Sequence, residues 1–204
     1  MENLESIIDN TCLLLRENYI KILRYFYPAL GSNGFEERNL SHNFVFSFIQ
    51  SLNDSEAFAW FEVSIMGGQK MDCVVFSPKV KSVFFIESKR FVNGKIDSKK
   101  DSLREDYKRI IENHLLILDN KRWKGGFEIS YKFAILLCDI WTEREDSSKL
   151  KMEWKENKCF ENLYSKVVSI VEGNKNIEFN YENTLKNYHI LIGVNEINTQ
   201  QLKN

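Results

Sequence analysis

Three ionisable side chains lie inside segments whose other residues are typical of buried β-strand. Asp72 opens the apolar run "MDCVVF", and Glu87 and Lys89 end the run "SVFFIESK". Two carboxylates side by side can bind a hard divalent cation through their oxygens. An ammonium beside them can stabilise negative charge that develops during a reaction. These residue types therefore indicate a candidate site for metal-assisted chemistry.

The surrounding pattern predicts how these residues meet. Strand-like runs over 57–65, 70–76 and 82–89 are joined by the short loops "MGGQ" and "SPKVK", which predicts a three-stranded antiparallel meander. A loop centred between Lys79 and Val80 would place Asp72 directly opposite Glu87. Like charges at such a distance destabilise a sheet unless something neutralises them, and a divalent cation would do so.

Alternation along the two strands predicts a shared face. Period-2 spacing puts Asp72, Glu87 and Lys89 on one side of the hairpin. The opposite side is also mostly apolar, so both faces of these strands should be covered. Charged groups in such a place are costly unless they are paired or used. A buried or edge salt bridge of Lys89 with one acid is the alternative to a metal site.

This arrangement resembles the signature of the PD-(D/E)XK nuclease superfamily, in which an Asp on one strand precedes Glu-x-Lys on the next. Here the match is Asp72 followed by Glu87-Ser88-Lys89. The resemblance implies a restriction-endonuclease-like fold and metal-dependent hydrolysis of phosphodiester bonds, with DNA as the expected substrate. It covers the motif and the order of elements over about 36–140.

Carried over by residue, the resemblance implies that Asp72 and Glu87 bind Mg²⁺ or Mn²⁺ together with the backbone carbonyl of Ser88. The ion would polarise the scissile phosphate and activate a water, which Lys89 would orient.

Members of the family often add a further acid, and two candidates compete for this role. Glu37 lies at the start of a predicted helix, where the helix dipole alone would favour it. Glu62 lies inside an apolar strand, which favours it as a site residue. If Gly67 and Gly68 alone form the first turn, Glu62 points away from Asp72. If Gln69 also belongs to the turn, Glu62 joins the site.

Basic residues follow the motif and predict phosphate contacts. They are Arg90, Lys95, Lys99 and Lys100. Acids are interspersed among them, so a solvated helix face is the alternative. Trp123 in "DNKRWKGGF" could stack on a nucleic acid, although a loop Trp is more often a packing residue.

The fold predicted from the pattern is α/β: a central mixed sheet with an antiparallel meander, flanked by helices, restriction-endonuclease-like, with added N-terminal helices. Helices are expected over about 4–27, 36–52, 97–120 and 154–171, with further strands over 127–140 and 187–197. We expect one domain over 1–204: a helical extension (1–34), a nuclease-like core (35–140) and a C-terminal part completing it (141–204). The N-terminal helices could mediate a homodimer.

Composition narrows the class of protein. The chain has 204 residues, 43% of them hydrophobic, and a net charge of −1 with a pI near 6.3. Nucleic-acid binding must therefore come from a local patch. Its four cysteines are far apart with no zinc-ligand spacing, and no segment is typical of a signal or membrane span. We expect a cytoplasmic protein without membrane contact. A non-catalytic module of the same fold, binding nucleic acid or protein in defence or regulation, is the alternative to an enzyme.

Overall fold

The structure is a computed structural model. It describes residues 4–25, 37–65, 68–91, 95–118, 125–141, 145–158, 160, 163–172 and 187–197. This part of the chain forms an α/β fold with a six-stranded, mixed, open sheet and four helices. The helices are α1 (Leu4–Tyr25), α2 (Glu37–Leu52), α3 (Ile96–Leu118) and α4 (Glu145–Lys155). The strands are β1 (Phe58–Ser64), β2 (Lys70–Ser77), β3 (Ser82–Arg90), β4 (Tyr131–Trp141), β5 (Tyr164–Glu172) and β6 (Asn187–Glu196).

The strand order in the sheet is β1-β2-β3-β4-β6-β5. Strands β1, β2 and β3 form the predicted antiparallel meander. Strand β4 then pairs parallel to β3, and the connection between them contains α3. A parallel pair requires such a crossover, because the chain must return to the end of the sheet at which β3 began. Strands β6 and β5 complete the sheet by antiparallel pairing.

Both faces of the sheet are covered, as the apolar runs predict. On one face α1 and α2 pack against side chains such as Cys73, Val75 and Ile86. On the other face α3 and α4 pack against side chains such as Val74 and Phe85. Alternate residues of the central strands therefore enter two separate clusters. This division tells which helices each site residue faces.

The predicted helix over 154–171 is wrong. Helix α4 ends at Lys155, and strand β5 occupies Tyr164–Glu172. Apolar residues in this stretch recur at spacings of three and four, which imitates a helix. The stretch "YSKVVSIVE" is rich in β-branched residues, which favour a strand. In the folded protein this stretch pairs with β6, and the pairing stabilises the strand over the helix.

The amino-terminal helix is part of the core in this structure. Ile8, Leu15 and Tyr19 of α1 are fully buried in the cluster that covers the first face. No described helix is long and apolar enough to cross a bilayer. The described cysteines are free thiols, and Cys159 lies outside the described residues. The single domain, the homodimer and the cytoplasmic location stay predictions.

Asp54 fixes the hairpin that brings Asp72 and Glu87 together. Its carboxylate accepts hydrogen bonds from Ser77 Oγ at 2.6 Å and from the backbone N–H of Lys79 at 3.0 Å, in the β2–β3 turn. Asp54→Ala would leave these donors without their acceptor, so we expect a loss of about 2 kcal/mol in the free energy of unfolding. Urea titration measures this loss. The exposed control Asp101→Ala should change stability little, and an equal effect of the two would contradict this role.

Candidate functional site

The predicted register of the β2–β3 hairpin is confirmed. Val74 pairs with Phe85 and Cys73 with Ile86, so Asp72 and Glu87 come next on the two strands. The ladder ends there. The backbone N–H of Ser88 donates instead to Asp72 Oδ2 at 2.7 Å, and Ser88 Oγ donates to the same oxygen at 2.6 Å. The Asp72 side chain thus closes the end of the hairpin.

The expectation of one shared face needs correction, because the alternation is interrupted at Asp72. Met71 packs with Val74 on the α3 side, although regular alternation would send it to the α2 side. The backbone of the neighbouring strand β1 is also irregular: Glu62, between Phe61 and Val63, has a φ of 52°. Asp72 turns to Ser88, at the cavity beside α2, whereas Glu87 contacts α3.

Glu87 is the most buried acid of the site, with 2% of its surface exposed. Arg109 of α3 donates to its Oε1 through Nη2 at 2.6 Å. Burial and, to a smaller extent, the charge of Asp72 raise the pKa of the Glu87 carboxyl from 4.5 to about 8, although Arg109 opposes them. Asp72 and Glu87 are therefore close enough to interact electrostatically.

Lys89 lies where the two faces of the sheet meet. Its Nζ is 2.8 Å from Asp106 Oδ2 on α3 and 3.9 Å from Glu37 Oε1 on α2. Burial alone would lower the pKa of Lys89, but the hydrogen bond and charge of Asp106 raise it overall, with Glu37 adding to the effect. Lys89 is thus held as a cation.

Helix α3 contributes two site residues that sequence reasoning did not assign. Asp106 and Arg109 lie one turn apart, with Arg109 Nη2 2.9 Å from Asp106 Oδ1. One signal was present: Asp106 falls three residues after Leu103 and four before Ile110, on the buried stripe of the helix. A charge at a core position of a helix indicates a buried partner.

Both candidates for the additional acid lie near Asp72, but in different states. Glu62 is 43% exposed and is paired with Arg38 at 2.9 Å and Lys70 at 2.7 Å. Glu37 accepts a hydrogen bond from the backbone N–H of Arg90 at 3.0 Å and also approaches Lys89. Glu37 therefore has the closer link to the strand that carries the motif.

A cavity of ≈ 600 Å³ adjoins Asp72 on the α2 side. Its lining residues come from the start of α2, from β1 and from the ends of β2 and β3: Glu37, Arg38, Ser41, His42, Phe61, Glu62, Asp72 and Ser88. This volume falls in the range of ordinary ligand pockets. The Asp72 side of the site is therefore open to solvent and to small groups.

The residues predicted to contact phosphates differ in their availability. Lys100 is tied to Glu153 at 2.6 Å and to Asp97 at 3.8 Å, which leaves little of its charge free. Arg90 and Lys99 are half-buried and Lys95 is exposed. Lys95 and Lys99 thus remain the better candidates of this group. Trp123 lies outside the described residues.

The donor set fits a hard divalent cation in its chemistry. Asp72 and Glu87 supply carboxylate oxygens, and Ser88, which follows Glu87 in sequence and hydrogen-bonds to Asp72, has a backbone carbonyl. Within the described ranges, no group of three His, Cys, Asp or Glu side chains is arranged to hold a metal ion. An ion bound here would thus rest on two carboxylates, a carbonyl and water.

The sheet end therefore gathers two acidic groups of possible metal-ligand type, a lysine held as a cation, and an arginine that pairs with the buried acid. The same end borders a cavity of the size of ordinary ligand pockets. Comparison with family models, with curated proteins and with solved structures finds no match for this chain.

Proposed function

We propose that this chain is a Mg²⁺- or Mn²⁺-dependent nuclease of restriction-endonuclease-like fold that hydrolyses phosphodiester bonds, with DNA as the expected substrate. The observation that carries the proposal is the cluster at the end of the β2–β3 hairpin. There the acids Asp72 and Glu87 interact electrostatically, and Lys89, two residues after Glu87 on the same strand, is held as a cation by Asp106. Buried charges with perturbed pKa values are typical of functional sites.

The order of elements supports the finer fold assignment. Helix α2 is followed by the meander β1-β2-β3, then by α3 and the parallel strand β4. The resemblance to the nuclease superfamily implies this order, with the acidic motif on the second and third strands. Asp72 lies on β2, and Glu87 and Lys89 lie on β3.

Each residue has a distinct role in the proposed reaction. Asp72 and Glu87, with the Ser88 carbonyl, would hold the cation. A bound divalent cation supplies Lewis acidity at the scissile phosphate. Lys89 donates hydrogen bonds to the attacking water and to a phosphate oxygen, and it stabilises the negative charge that develops there. Asp106 holds the Lys89 ammonium in place at 2.8 Å.

A non-catalytic module of the same fold is the second candidate. It is favoured by one observation: Asp72 and Glu87 already have donors, from Ser88 and Arg109. Such contacts would let the motif survive as a structural ion-pair network. Calorimetric titration with Mn²⁺ separates the two functions, because the module predicts no binding, or binding that Asp72→Ala leaves unchanged.

The nuclease proposal predicts cleavage that depends on both metal and Asp72. Plasmid DNA and a single-stranded oligonucleotide are incubated with the protein in Mn²⁺, in Mg²⁺ and in EDTA. We expect the wild-type protein to cleave DNA when Mn²⁺ or Mg²⁺ is present and not in EDTA. The cleavage rate of Asp72→Asn should be lower by at least about 100-fold, because one of two acidic ligands is removed. Asp97→Asn is a matched control, since Asp97 is almost fully exposed. Cleavage that survives EDTA, or equal rates in the two variants, would rule the proposal out.

A further inference from the structure

Glu87 has a positively charged partner in this structure. A carboxylate with 2% exposure is strongly destabilised unless an opposite charge or a proton neutralises it. The Arg109 guanidinium lies 2.6 Å from Glu87 Oε1 and is half-buried itself. In position and charge, Arg109 thus does for Glu87 what a bound cation would do.

The formal charges of the six ionisable side chains around Glu87 would be balanced by one divalent cation. With all groups ionised, the acids Glu37, Asp72, Glu87 and Asp106 give −4. Lys89 and Arg109 give +2, so the formal charge is −2. A divalent cation would bring this fully ionised cluster to neutrality. It would also bind the carboxylate that Arg109 occupies, so the two cations compete for Glu87.

Asp106 offers Arg109 a second acceptor. Its Oδ1 is already 2.9 Å from Arg109 Nη2, while its Oδ2 contacts Lys89. The guanidinium therefore bridges two carboxylates that lie on β3 and on α3. A rotation of the side chain would release Glu87 and keep the ion pair with Asp106, so the charge of Arg109 would stay paired. A long flexible arginine stem permits such a movement without any change of the backbone.

We infer that Arg109 is a displaceable counter-cation that controls metal loading of the site, and that Asp106 is the acceptor to which it withdraws. The inference rests on the proposed function, because it assumes that a divalent cation binds Glu87. Arg109 is a positioning residue in this scheme: it acts on Glu87 and not on the substrate. Removing its charge should make metal binding tighter.

The expected effect is large. At an effective dielectric constant of about 20, a unit charge and a divalent ion about 6 Å apart repel strongly enough to change an affinity by well over tenfold. Protons compete with the metal for the same carboxylates. However, the lost charge acts twice as strongly on a divalent ion as on a proton, so competition reduces the gain without reversing it.

The test is calorimetric titration with Mn²⁺ of the full chain, for wild type, Arg109→Gln, Arg109→Lys and Glu87→Gln. We expect Arg109→Gln to bind Mn²⁺ at least tenfold more tightly than wild type. Arg109→Lys keeps the charge and should remain within about threefold of wild type. Thermal unfolding without metal shows that each variant is folded, so weak binding cannot be mistaken for loss of structure.

The outcomes separate this inference from the proposed function. If Glu87→Gln abolishes binding but Arg109→Gln binds equally or more weakly than wild type, the counter-cation role is wrong and the metal site stands. If neither wild type nor Arg109→Gln binds Mn²⁺, both are wrong. Binding by Arg109→Gln alone would support the inference, since the arginine would then block the site completely.

Asp106→Asn tests the second half of the inference. Without this acceptor, Arg109 should remain on Glu87, so Mn²⁺ binding should weaken by several-fold. In the Arg109→Gln background the same change should cost much less, because no arginine has to withdraw. An equal loss in the two backgrounds would contradict the role of Asp106 as the acceptor.

Discussion

Replacing Lys89 with methionine is expected to reduce Mn²⁺-dependent DNA cleavage by at least about 100-fold, as when one donor to a developing negative charge is removed. Methionine keeps an unbranched apolar stem of similar length and removes the ammonium. Because only 19% of the Lys89 side chain is exposed, its stem stays packed in the variant. The loss should therefore reflect chemistry more than folding.

The environment of Lys89 explains why its charge is available at neutral pH. Burial by itself lowers the pKa of this ammonium, but Asp106 at 2.8 Å and the more distant Glu37 raise it. Lys89 is therefore a cation over the working range and acts by donating hydrogen bonds, not by accepting a proton. Lys89→Arg, which keeps the charge with a different shape, should retain part of the activity.

Two measurements distinguish loss of catalysis from loss of the site. Lys89→Met should still bind Mn²⁺, because Lys89 is not one of the proposed ligands and its removal takes away a repelling charge. Lys108→Met, at an exposed position of α3, should cleave DNA at the wild-type rate. Cleavage by Lys89→Met at the wild-type rate would contradict the role of Lys89 as the donor to the scissile phosphate in the proposed nuclease.

The hairpin of the site was predictable because local rules determine it. Short loops fix which residues of β2 and β3 face each other, and the apolar runs fix where the strands lie. The register that makes Asp72 and Glu87 the next residues beyond the last pair, Cys73 and Ile86, follows from these two facts. The turning of Asp72 towards Ser88 does not follow, because it depends on an irregularity that two neighbouring strands share at Asp72 and Glu62.

Contacts across the sheet could not be predicted in the same way. Asp106 and Arg109 reach β3 only because α3 packs at one particular rotation over the strand ends. Helical periodicity indicates which face of α3 is buried, but not which strand residue each side chain will meet. Strand β5 was missed for a related reason, since its partner β6 lies elsewhere in the chain.

Glu87→Gln is expected to make the metal-free protein more stable at pH 8 by up to about 4 kcal/mol, while abolishing cleavage. Burial and the charge of Asp72 raise the pKa of Glu87 from 4.5 to about 8, against the effect of Arg109. Each pKa unit corresponds to about 1.4 kcal/mol of differential stabilisation of the protonated form. Glutamine has nearly the same shape, is always neutral, and can still accept a hydrogen bond from Arg109.

The sign follows from proton binding. Between pH 4.5 and pH 8 the folded protein holds a proton on Glu87 that the unfolded chain has lost. The free energy of unfolding therefore falls as the pH rises through this window, and it levels off above the folded pKa. Glu87→Gln removes this contribution, so its advantage over wild type should be absent near pH 4 and largest at pH 8 and above.

Asp139 makes a second contribution to the pH dependence of the free energy of unfolding, and this contribution can be separated from that of Glu87. It is fully buried, accepts a hydrogen bond from Tyr188 at 2.9 Å, and burial raises the pKa of its carboxyl to about 7. Glu87→Gln should thus still lose stability as the pH rises, but only up to about pH 7, whereas wild type should lose it up to about pH 8. Urea unfolding in EDTA at several pH values measures both curves, with Glu112→Gln on the exposed side of α3 as the control.

Metal should reverse the order of stability at pH 8. A cation that binds only the folded state stabilises it in proportion to its affinity, and Glu87 is one of its two proposed acidic ligands. Mn²⁺ should therefore raise the unfolding free energy of wild type and of Glu112→Gln, and leave Glu87→Gln nearly unchanged. If the metal-free curves of Glu87→Gln and wild type run parallel from pH 5 to pH 8.5, then Glu87 is not the buried, proton-binding acid that this structure places beside Arg109. Such a result would contradict both the burial of Glu87 and its role as a metal ligand, since both depend on the same position of the side chain.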